Sequence, residues 1–397
     1  MKKILWAILS IILSISIYSC KQELNYRAPS GTDESKPAAI LNPQVENLNG
    51  AARISYTVPK DKNLLYIKAV YTLSNGQRAE AQSTYYTNSI FLDGFADTEL
   101  HEVALYAVSR NNTESDPVTV TVKPLEAPIW QVFKSLNMET AFGGYNLKAK
   151  NPSKSDVSIL ILKKNAVGEW ETDNDKSIHT NADSIVSTIR ALDTVAYTFP
   201  ILVQDKWGNK TDTLFKTIRP LYEAEFPKTN FKALVLPGDA PQREGGVRLE
   251  YAWDNLLGTN TSFTDQNAIS GPHMVTIDLG LTGKLSRIWI RTYPEGSRYY
   301  FLSTMKRFEI YGSVSPNLDG DLDDSWILLG SYEVVKPSGL PYGTDNDLDQ
   351  STAAAGFNWD IDLNAPKVRY IRIRCLENFA GGTAQNINEL SVFGDYR

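Results

Sequence analysis

Residues 273–280, HMVTIDLG, and residues 285–290, LSRIWI, are short segments rich in apolar residues, and apolar and polar side chains alternate from Val275 to Leu279. This period of two is typical of a β-strand with one face in a core. Similar short segments, separated by Gly, Pro, Asn or Asp, recur along the chain, and no long segment has the 3.6-residue period of a helix. The sequence therefore predicts an all-β protein.

Further segments of the same kind surround this pair within residues 226–397. In chain order they are LEYAWDN at 249–255, GTNTSF at 258–263, MKRFEIYGS at 305–313, SWILLG at 325–330, VRYIRI at 368–373 and NELSVFG at 388–394. In this order they resemble the discoidin, or coagulation-factor type C, domain. That family has a galactose-binding-like jelly-roll fold and includes many bacterial carbohydrate-binding modules. The resemblance implies that residues 226–397 form a domain of this type.

The preceding part of the chain predicts two smaller β-sandwiches in tandem. Residues 37–124 contain five alternating segments separated by turns, and they resemble a fibronectin type III domain. Residues 125–225 repeat the plan, and Pro-containing joints separate the parts. The predicted fold is therefore two tandem Ig/fibronectin-III-like sandwiches followed by a galactose-binding-like jelly-roll sandwich. For the two sandwiches we expect a spacer role, because neither has a cluster of metal-ligating or catalytic residue types.

The N-terminal segment has the features of a secretory signal. Met1-Lys2-Lys3 is followed by an apolar run and then by Tyr18-Ser19-Cys20. The segment resembles a bacterial lipoprotein signal, which implies cleavage after residue 19 and lipidation of Cys20. Residues 20–36 would then be a lipidated tether. The alternative is an ordinary signal peptide with an incidental cysteine. The lipoprotein interpretation predicts an outer-membrane, lipid-anchored and surface-exposed protein.

Composition excludes several classes of function. The formal net charge of −6 argues against nucleic-acid binding. Cys375 is the only cysteine besides Cys20, so lipidation of Cys20 would leave no internal disulfide, and the alternation around Cys375 predicts a buried, inert thiol. His101, His179 and His273 lie in different predicted domains, and no Ser-His-Asp set is visible. We therefore expect a protein that is not an enzyme; the alternative is a glycosidase whose paired carboxylates lie far apart in the sequence.

A ligand face is expected in the loops of the C-terminal domain. Sugars are bound by aromatic plates and planar polar groups. The segment 291–301, RTYPEGSRYYF, is unusually aromatic for a loop, and the loop 378–382, NFAGG, lies between the last predicted strands. An insert, residues 335–357, also flanks the site. The predicted ligand residues are Arg291, Arg298, Tyr299, Tyr300, Phe301, Tyr342, Asn378 and Phe379. The alternative is that Tyr299 and Phe301 simply pack the loop.

The discoidin resemblance also implies one structural Ca²⁺. Its ligands would be Asp254, the segment through Thr261, and Glu389, since calcium prefers six to eight hard oxygen ligands. The sequence departs from the family pattern at Asn255-Leu256-Leu257, where Gly and a further Asp are common. The alternative is that Asp254 caps a turn and Glu389 pairs with an arginine.

These observations together predict a non-catalytic surface lipoprotein that captures poly- or oligosaccharide through its C-terminal domain. The whole layout resembles Bacteroidota surface lipoproteins found beside glycan-uptake systems. The alternative is a protein–protein adaptor, in which the same loops bind another subunit of a surface glycan-uptake complex.

Overall fold

The computed structural model describes residues 35–258, 260–267 and 269–397. The predicted signal peptide, Cys20 and almost all of the predicted tether lie outside the described residues. Among the described residues, no helix is both long and apolar enough to span a membrane. The chain forms two compact units. One contains the residues up to Leu136 with Ala149–Ile185 and Pro200–Leu214, and the other contains Asn137–Lys148, Val186–Phe199 and Phe215–Arg397.

The N-terminal sandwich occupies residues 37–124, all of which are described. Its strands are β1 (Leu41–Leu48), β2 (Ala51–Thr57), β3 (Leu64–Thr72), β4 (Arg78–Thr84), β5 (Ser89–Asp93), β6 (His101–Ser109) and β7 (Val118–Val122). One sheet has the order β1-β2-β5 and the other the order β4-β3-β6-β7. All neighbours are antiparallel, as expected for a fibronectin-III-like sandwich.

Alternating burial explains which of these strands the sequence predicts. Ile54, Leu92 and Leu105 are fully buried, and their chain neighbours face outward. Strands β1 and β4 lie at sheet edges and have only exposed or half-buried side chains, so they lack the apolar alternation that would reveal them. The sequence therefore misses the two strands that contribute least to the core.

The next segment contains a short helix and eight strands. They are α1 (Pro128–Lys134), β8 (Asn137–Ala141), β9 (Gly144–Lys150), β10 (Val157–Lys164), β11 (Trp170–Thr172), β12 (Ile178–Thr180), β13 (Ser184–Ile189), β14 (Tyr197–Asp205) and β15 (Leu214–Ile218). One sheet has the order β13-β9-β8; the other has the order β11-β10-β14-β15, and β12 also pairs with β10. The boundary between the two compact units runs through this segment.

The C-terminal sandwich has the remaining elements. They are β16 (Ala224–Glu225), β17 (Lys232–Ala233), β18 (Ser262–Phe263), β19 (His273–Arg291), β20 (Met305–Ser313), β21 (Ile327–Glu333), α2 (Asp347–Ala354), β22 (Phe357–Asp360), β23 (Val368–Asn378), β24 (Asn386–Ile387) and β25 (Glu389–Asp395). The main sheet path is β16-β25-β19-β23-β20-β21, and β18 pairs with β24. The all-β prediction is confirmed.

Strand β19 joins the two faces of this sandwich. Its first half pairs with β23 and its second half pairs with β25, with the change at Gly280–Gly283. Gly280 has φ +73°, and a Cβ on Gly283 would lie 2.7 Å from the carbonyl oxygen of Asp395. Small residues are therefore needed where the strand turns from one sheet into the other. Residues 273–280 and 285–290 are thus the two halves of this one strand.

The core of the C-terminal sandwich fills the space between these strands. Ile277, Ile288 and Ile371 are fully buried in it. Cys375 is also fully buried, which confirms its predicted location, and burial raises the pKa of its thiol to about 12. At neutral pH this group is protonated and apolar in character, so it packs rather than reacts.

Candidate functional site

A polar cleft of about 730 Å³ opens at one end of the C-terminal sandwich. Four chain segments line it: the loop after β17, the end of β18 with the following turn, the β19–β20 loop and the β23–β24 loop. We call this the polar cleft. Its lining residues are Arg243, Glu244, Phe263, Thr264, Asp265, Gln266, Asn267, Glu295, Leu302, Ser303, Asn378, Ala380, Gly382, Thr383 and Ala384.

A buried hydrogen-bond network of Thr264, His273 and Gln385 lies behind the Thr264 side of the polar cleft, and we call it the floor of the cleft. The hydroxyl of Thr264 accepts from the backbone N–H of Gln385 at 2.9 Å and is 2.9 Å from His273 Nδ1. The Gln385 amide donates to the carbonyl oxygen of His273 at 3.1 Å. Burial lowers the pKa of His273, so the neutral imidazole is the form that this floor holds. The network ties the β18 turn to the β23–β24 loop and fixes both walls.

One wall carries a cation without an acidic partner. The Arg243 guanidinium lies 4.6 Å from the centroid of the Phe263 ring. Within the described part of the chain, no hydrogen bond or ion pair reaches this side chain, although the backbone N–H of Arg243 donates to the carbonyl oxygen of Phe263 at 2.8 Å. Stacking on the ring orients the planar guanidinium and leaves its N–H donors available to a ligand.

The opposite wall contains Glu295, and only one of its two carboxylate oxygens accepts hydrogen bonds from described residues. Oε1 of Glu295 accepts from the backbone N–H of Ser303 at 3.0 Å, from its hydroxyl at 2.6 Å and from the Asn386 amide at 3.2 Å. Among the described residues, Oε2 of Glu295 accepts no hydrogen bond. One oxygen therefore holds the β19–β20 loop in shape, and the other remains an acceptor for a ligand.

The β23–β24 loop is shaped by Asn378. Its side-chain oxygen accepts from the backbone N–H groups of Ala380 and Gly382 at 3.0 and 2.9 Å, and its amide donates to the carbonyl oxygen of Ala384 at 2.9 Å. Asn378 is buried and engages both of its polar atoms within its own loop. Asn378 thus lines the polar cleft and positions the loop, and its contact with a ligand stays a prediction.

Three of the predicted ligand residues form an exposed stack. The Arg298 guanidinium lies 3.6 Å from the Phe301 ring centroid, and the rings of Phe301 and Tyr342 stack at 4.9 Å with an interplanar angle of 27°. Tyr342 is 51% exposed. Its hydroxyl accepts from the backbone N–H of Leu302, a residue of the polar cleft, at 3.4 Å. The stack therefore adjoins the cleft and offers an aromatic face to solvent.

Other predicted ligand residues serve the interior. Tyr300 is 1% exposed, and burial, with a smaller contribution from Asp349, raises the pKa of its phenol. Tyr299 and Phe379 pack against the same core, half-buried. A fully buried ring cannot stack on a sugar, so the prediction for Tyr300 is wrong. For Tyr299, the packing alternative describes its environment.

Arg291 also serves the interior. Its guanidinium donates to the carbonyl oxygen of Ala354 at 2.9 Å, to the Tyr299 hydroxyl at 3.3 Å and to the side-chain oxygen of Asn388. These contacts hold the end of α2 against β19. Each of its three nitrogens donates one of these bonds, so Arg291 has a structural role, and a contact with ligand stays a prediction.

A lysine lies where the discoidin resemblance implies a calcium ion. Lys228 Nζ lies 2.6 Å from Glu389 Oε1 and 3.1 Å from Asn255 Oδ1. Glu389 is 2% exposed, and burial raises the pKa of its carboxyl while Lys228 opposes that shift. Asp254 caps a turn, because its carboxylate accepts from the Leu256 N–H and from the Asn260 amide, each at 2.8 Å. We call these residues the lysine cluster.

The other implied calcium ligands are also occupied. The Asn388 amide donates to the carbonyl oxygen of Asn260 and to the hydroxyl of Thr261, both at 2.8 Å. The described residues contain no group of three or more His, Cys, Asp or Glu side chains that could hold a metal. Calcium needs six to eight oxygen ligands. Here an ammonium and amides engage most of the implied ligand oxygens, and among their buried side-chain atoms only Glu389 Oε2 has no hydrogen-bond partner in the described part of the chain. The donor set therefore does not fit calcium, and Glu389 pairs with a lysine rather than with an arginine.

Sequence reasoning missed most of the polar cleft. Arg243, Phe263 and Glu295 come from separate segments, and only Glu295 falls within the predicted loop. The available signal was weak: an arginine and a Gly-Gly pair in a loop without apolar alternation. Asp265, Gln266 and Asn267 form a polar turn before β19, which resembles any solvated turn in the sequence.

Three family models match the chain in succession. Each is described as a domain of unknown function: DUF4959 matches residues 37–124, DUF5126 matches residues 125–229 and DUF5000 matches residues 253–394. No curated protein matches the chain. The family matches follow the domain order of the chain and carry no functional description.

Several solved structures are similar to the chain. A SusE-like protein is 26% identical, with a TM-score of 0.44, over 67% of this chain and 98% of its own. The C-terminal domain of a chitobiase from Bacteroides fragilis is 17% identical, with a TM-score of 0.32, over 44% of this chain and 99% of its own. An F5/8 type C domain from the same organism is 13% identical, with a TM-score of 0.31, over 44% and 98%. The chain is thus similar to the kinds of protein that its sequence resembles.

Proposed function

We propose that the C-terminal sandwich captures a saccharide in the polar cleft, without catalysis. The observation that carries this proposal is the Arg243 guanidinium, which is oriented by the Phe263 ring and is free of an acidic partner among the described residues. It lines the same cleft as the free oxygen of Glu295. An oriented donor and an open acceptor are the groups that bind vicinal hydroxyls.

The neighbouring stack supplies an apolar plate for the same ligand. Sugars present C–H faces that pack on aromatic rings, while their hydroxyls bind planar polar groups. The exposed ring of Tyr342, supported by Phe301, adjoins the cleft through Leu302. A saccharide of more than one residue would contact the cleft and the Tyr342 ring together.

The charges of the polar cleft favour a neutral sugar. Glu244, Asp265 and Glu295 line it with Arg243 as the single basic residue. A carboxylate or sulfate on the ligand would meet more negative than positive side chains, and like-charge contact disfavours binding. We therefore expect neutral or amino sugars to bind better than acidic ones.

The test is affinity electrophoresis of the full chain in gels that contain neutral polysaccharides, supported by a glycan array. Arg243→Ala and Tyr342→Ala should each weaken binding about tenfold, the loss expected for one oriented charged or aromatic contact. Both side chains are exposed or have few bonds, so the fold should remain intact. The matched controls are Arg78→Ala and Tyr86→Ala, which remove exposed side chains of the same types in the N-terminal sandwich.

The results separate three outcomes. Binding that both cleft variants weaken and neither control affects would support the proposal. Unchanged binding in Arg243→Ala and Tyr342→Ala would place the saccharide elsewhere on the chain. Release of a product from a bound glycan would overturn the non-catalytic part of the proposal.

For the cellular location we propose a lipid anchor at Cys20 on the outer membrane. The support is the sequence pattern Ile17-Tyr18-Ser19-Cys20 after an apolar run. A Cys20→Ala variant should lose incorporation of labelled fatty acid and leave the membrane fraction, whereas Cys375→Ala should retain both. Labelling unchanged in Cys20→Ala would contradict the anchor. Surface protease treatment of intact cells would then show which leaflet carries the protein.

A second candidate function is that of an adaptor in a surface complex. The observation that favours it is the edge strand β21, which ends the main sheet path. Its side chains Ile327 and Leu328 are 46% and 49% exposed. Exposed apolar edge strands are sites where another chain can pair. Ile327→Lys with Leu328→Lys should abolish capture of a glycan-transporter subunit but leave saccharide binding intact, if this function holds.

A further inference from the structure

A second cleft, of about 470 Å³, lies elsewhere in the C-terminal compact unit and is rich in basic side chains. Arg219, Lys284, Lys367 and Arg397 line it, and Asp395 is the one acidic side chain in its lining. We call this the basic cleft. The chain as a whole has a net charge of −6, so the local charge around this cleft is opposite in sign to the net charge of the protein. A local field of this sign concentrates anions.

Most of these cations have no acidic partner. Lys284, Lys367 and Arg219 form no ion pair with any described residue, whereas Arg397 pairs with Asp395 at 3.1 Å. Arg219 uses Nε to donate to the carbonyl oxygen of Thr194 at 2.7 Å, which leaves its two terminal nitrogens without a described partner. Lys367 Nζ donates to the backbone oxygen of Arg397 at 3.4 Å, and its charge, after the larger effect of Arg397, helps to lower the pKa of Asp395. Several donors therefore remain available in the basic cleft.

Arg397 is the arginine of the basic cleft that is held most firmly in place. The Arg397 guanidinium lies 3.6 Å from the centroid of the Tyr222 ring, and Nε and Nη2 both donate to the Asp395 carboxylate. Asp395 and the Tyr222 ring thus fix the plane of this guanidinium, and Nη1 stays free of described bonds. A planar donor that is fixed before binding loses less entropy when it binds a carboxylate or sulfate.

We propose that the basic cleft binds an anionic substituent of a polysaccharide, a carboxylate or a sulfate ester. The concave shape and the size of the cleft fit one or two sugar rings, whereas a membrane surface of anionic lipids requires protruding cations. The site is separate from the polar cleft, where acidic residues predominate. One chain would thereby bind neutral and charged parts of a glycan at two different places.

The test is affinity electrophoresis of the full chain in polygalacturonate and chondroitin sulfate, with dextran as the neutral reference. Lys284→Gln with Lys367→Gln should weaken retention in both anionic polymers about fivefold to tenfold, the size expected for the loss of two exposed charge contacts. Added salt should weaken the retention of the unmodified chain in the same direction. Lys60→Gln with Lys62→Gln is the matched control, because it removes two exposed lysines of the N-terminal sandwich and gives the same net charge.

Each outcome decides the proposal. Loss of retention in Lys284→Gln/Lys367→Gln, with the control unchanged, would support it. An equal loss in the control would show a general charge effect and overturn it, as would the absence of retention in both anionic polymers. Anionic binding that persists in Lys284→Gln/Lys367→Gln and is lost in Arg243→Ala would place the anion in the polar cleft and overturn the proposal. Lysine-dependent binding to vesicles of phosphatidylglycerol, without polysaccharide binding, would assign the site to lipid and also overturn the proposal.

Discussion

The lysine cluster and the polar cleft are two groups of polar side chains in the same sandwich, and they use their charges in opposite ways. In the lysine cluster, the Glu389 carboxylate is buried and meets the Lys228 ammonium at 2.6 Å. In the polar cleft, Arg243 has no acidic partner among the described residues, and Glu295 has one free oxygen. The first group pairs its charges inside the fold and stabilises it, with only the buried Glu389 Oε2 left without a hydrogen bond among the described residues. The second group leaves donors and acceptors open to solvent.

The number of unpaired polar atoms indicates which of the two clusters is the better candidate for a binding site. Burial makes an unpaired charge costly, so a buried charge must find its partner inside the protein. Once it has done so, little of its hydrogen-bonding capacity is left for a metal or a ligand; in the lysine cluster this remainder is Glu389 Oε2. A cluster at an exposed cleft is free of this demand. Its residue types can resemble those of a metal site or a sugar site, but only the unpaired atoms can bind.

Removing Lys228 gives the largest expected effect. In Lys228→Met the buried Glu389 loses its cation, and breaking a buried pair in this way costs about 3–5 kcal/mol in the free energy of unfolding. Glu389→Leu in the same chain should recover most of that loss, because it removes the stranded carboxylate. Urea unfolding of the three proteins measures these values. A Lys228→Met variant as stable as the unmodified chain would show that the Lys228–Glu389 pair does not stabilise the fold.

The same cluster predicts how the chain responds to chelators. An ammonium is covalently part of the chain, so EDTA should leave the unfolding midpoint of the unmodified protein unchanged, and added calcium should not raise it. A midpoint that falls with EDTA and returns with calcium would mean that a metal, and not Lys228, balances Glu389.

Glu295 lies between the two extremes and gives an intermediate effect. Glu295→Ala leaves the Ser303 and Asn386 donors without their acceptor, which costs about 1–3 kcal/mol in unfolding free energy. Glu295→Gln keeps one carbonyl oxygen as acceptor and should retain most of that stability. If the free oxygen binds ligand as a carboxylate, Glu295→Gln will still weaken saccharide binding. Unchanged binding in Glu295→Gln would make Glu295 wholly structural, like Glu389.

His273, on the floor of the polar cleft, adds a smaller, pH-dependent effect. Burial lowers its pKa in the folded state below the value in the unfolded chain, so the unfolded state takes up the proton first. The contribution of His273 to stability is present above the unfolded pKa of about 6.5 and is lost as the pH falls through the lowered folded value. His273→Asn cannot titrate and keeps an acceptor or donor near Nδ1. Its midpoint should therefore fall less between about pH 7 and pH 5; an equal fall would exclude His273 as the cause.

The sequence predicts those features of the fold that depend on residues close together in the chain. The apolar segments 273–280 and 285–290 predict both halves of β19, and the aromatic segment 291–301 begins at the last residue of β19 and lies before β20. The pattern does not show that the halves form one continuous strand, because Gly280 and Gly283 look like an ordinary break. Their role becomes visible only when Asp395 lies against Gly283.

The sites depend on residues that are distant in the chain. Lys228 and Glu389 are 161 positions apart, and Arg243 meets Phe263 only after the loop folds onto β18. Residue type also does not distinguish an exposed ring from a buried one: Tyr300 and Tyr342 look alike in the sequence, yet only Tyr342 faces solvent. Which tyrosine packs the core is settled by the packing of several strands, and not by its neighbours in the chain.

Substitution of Leu302 has the smallest expected effect on stability, and it separates an effect on the fold from an effect on saccharide binding. It has φ +43°, a left-handed conformation that costs a non-glycine residue about 1–2 kcal/mol, and it is 41% exposed on the rim of the polar cleft. Leu302→Gly relieves that strain but adds about 0.5–1 kcal/mol of backbone entropy to lose on folding, so the net gain in stability should be below about 1 kcal/mol. Leu302→Ala keeps the strain and serves as the control. If strain is kept here because the side chain forms a wall for the ligand, both variants will weaken saccharide binding, and only Leu302→Gly will be more stable. Full binding in both variants would show that the Leu302 side chain does not contact the ligand. The strained conformation of Leu302 would then be unrelated to binding, because backbone strain is kept for function only where the strained residue takes part in it.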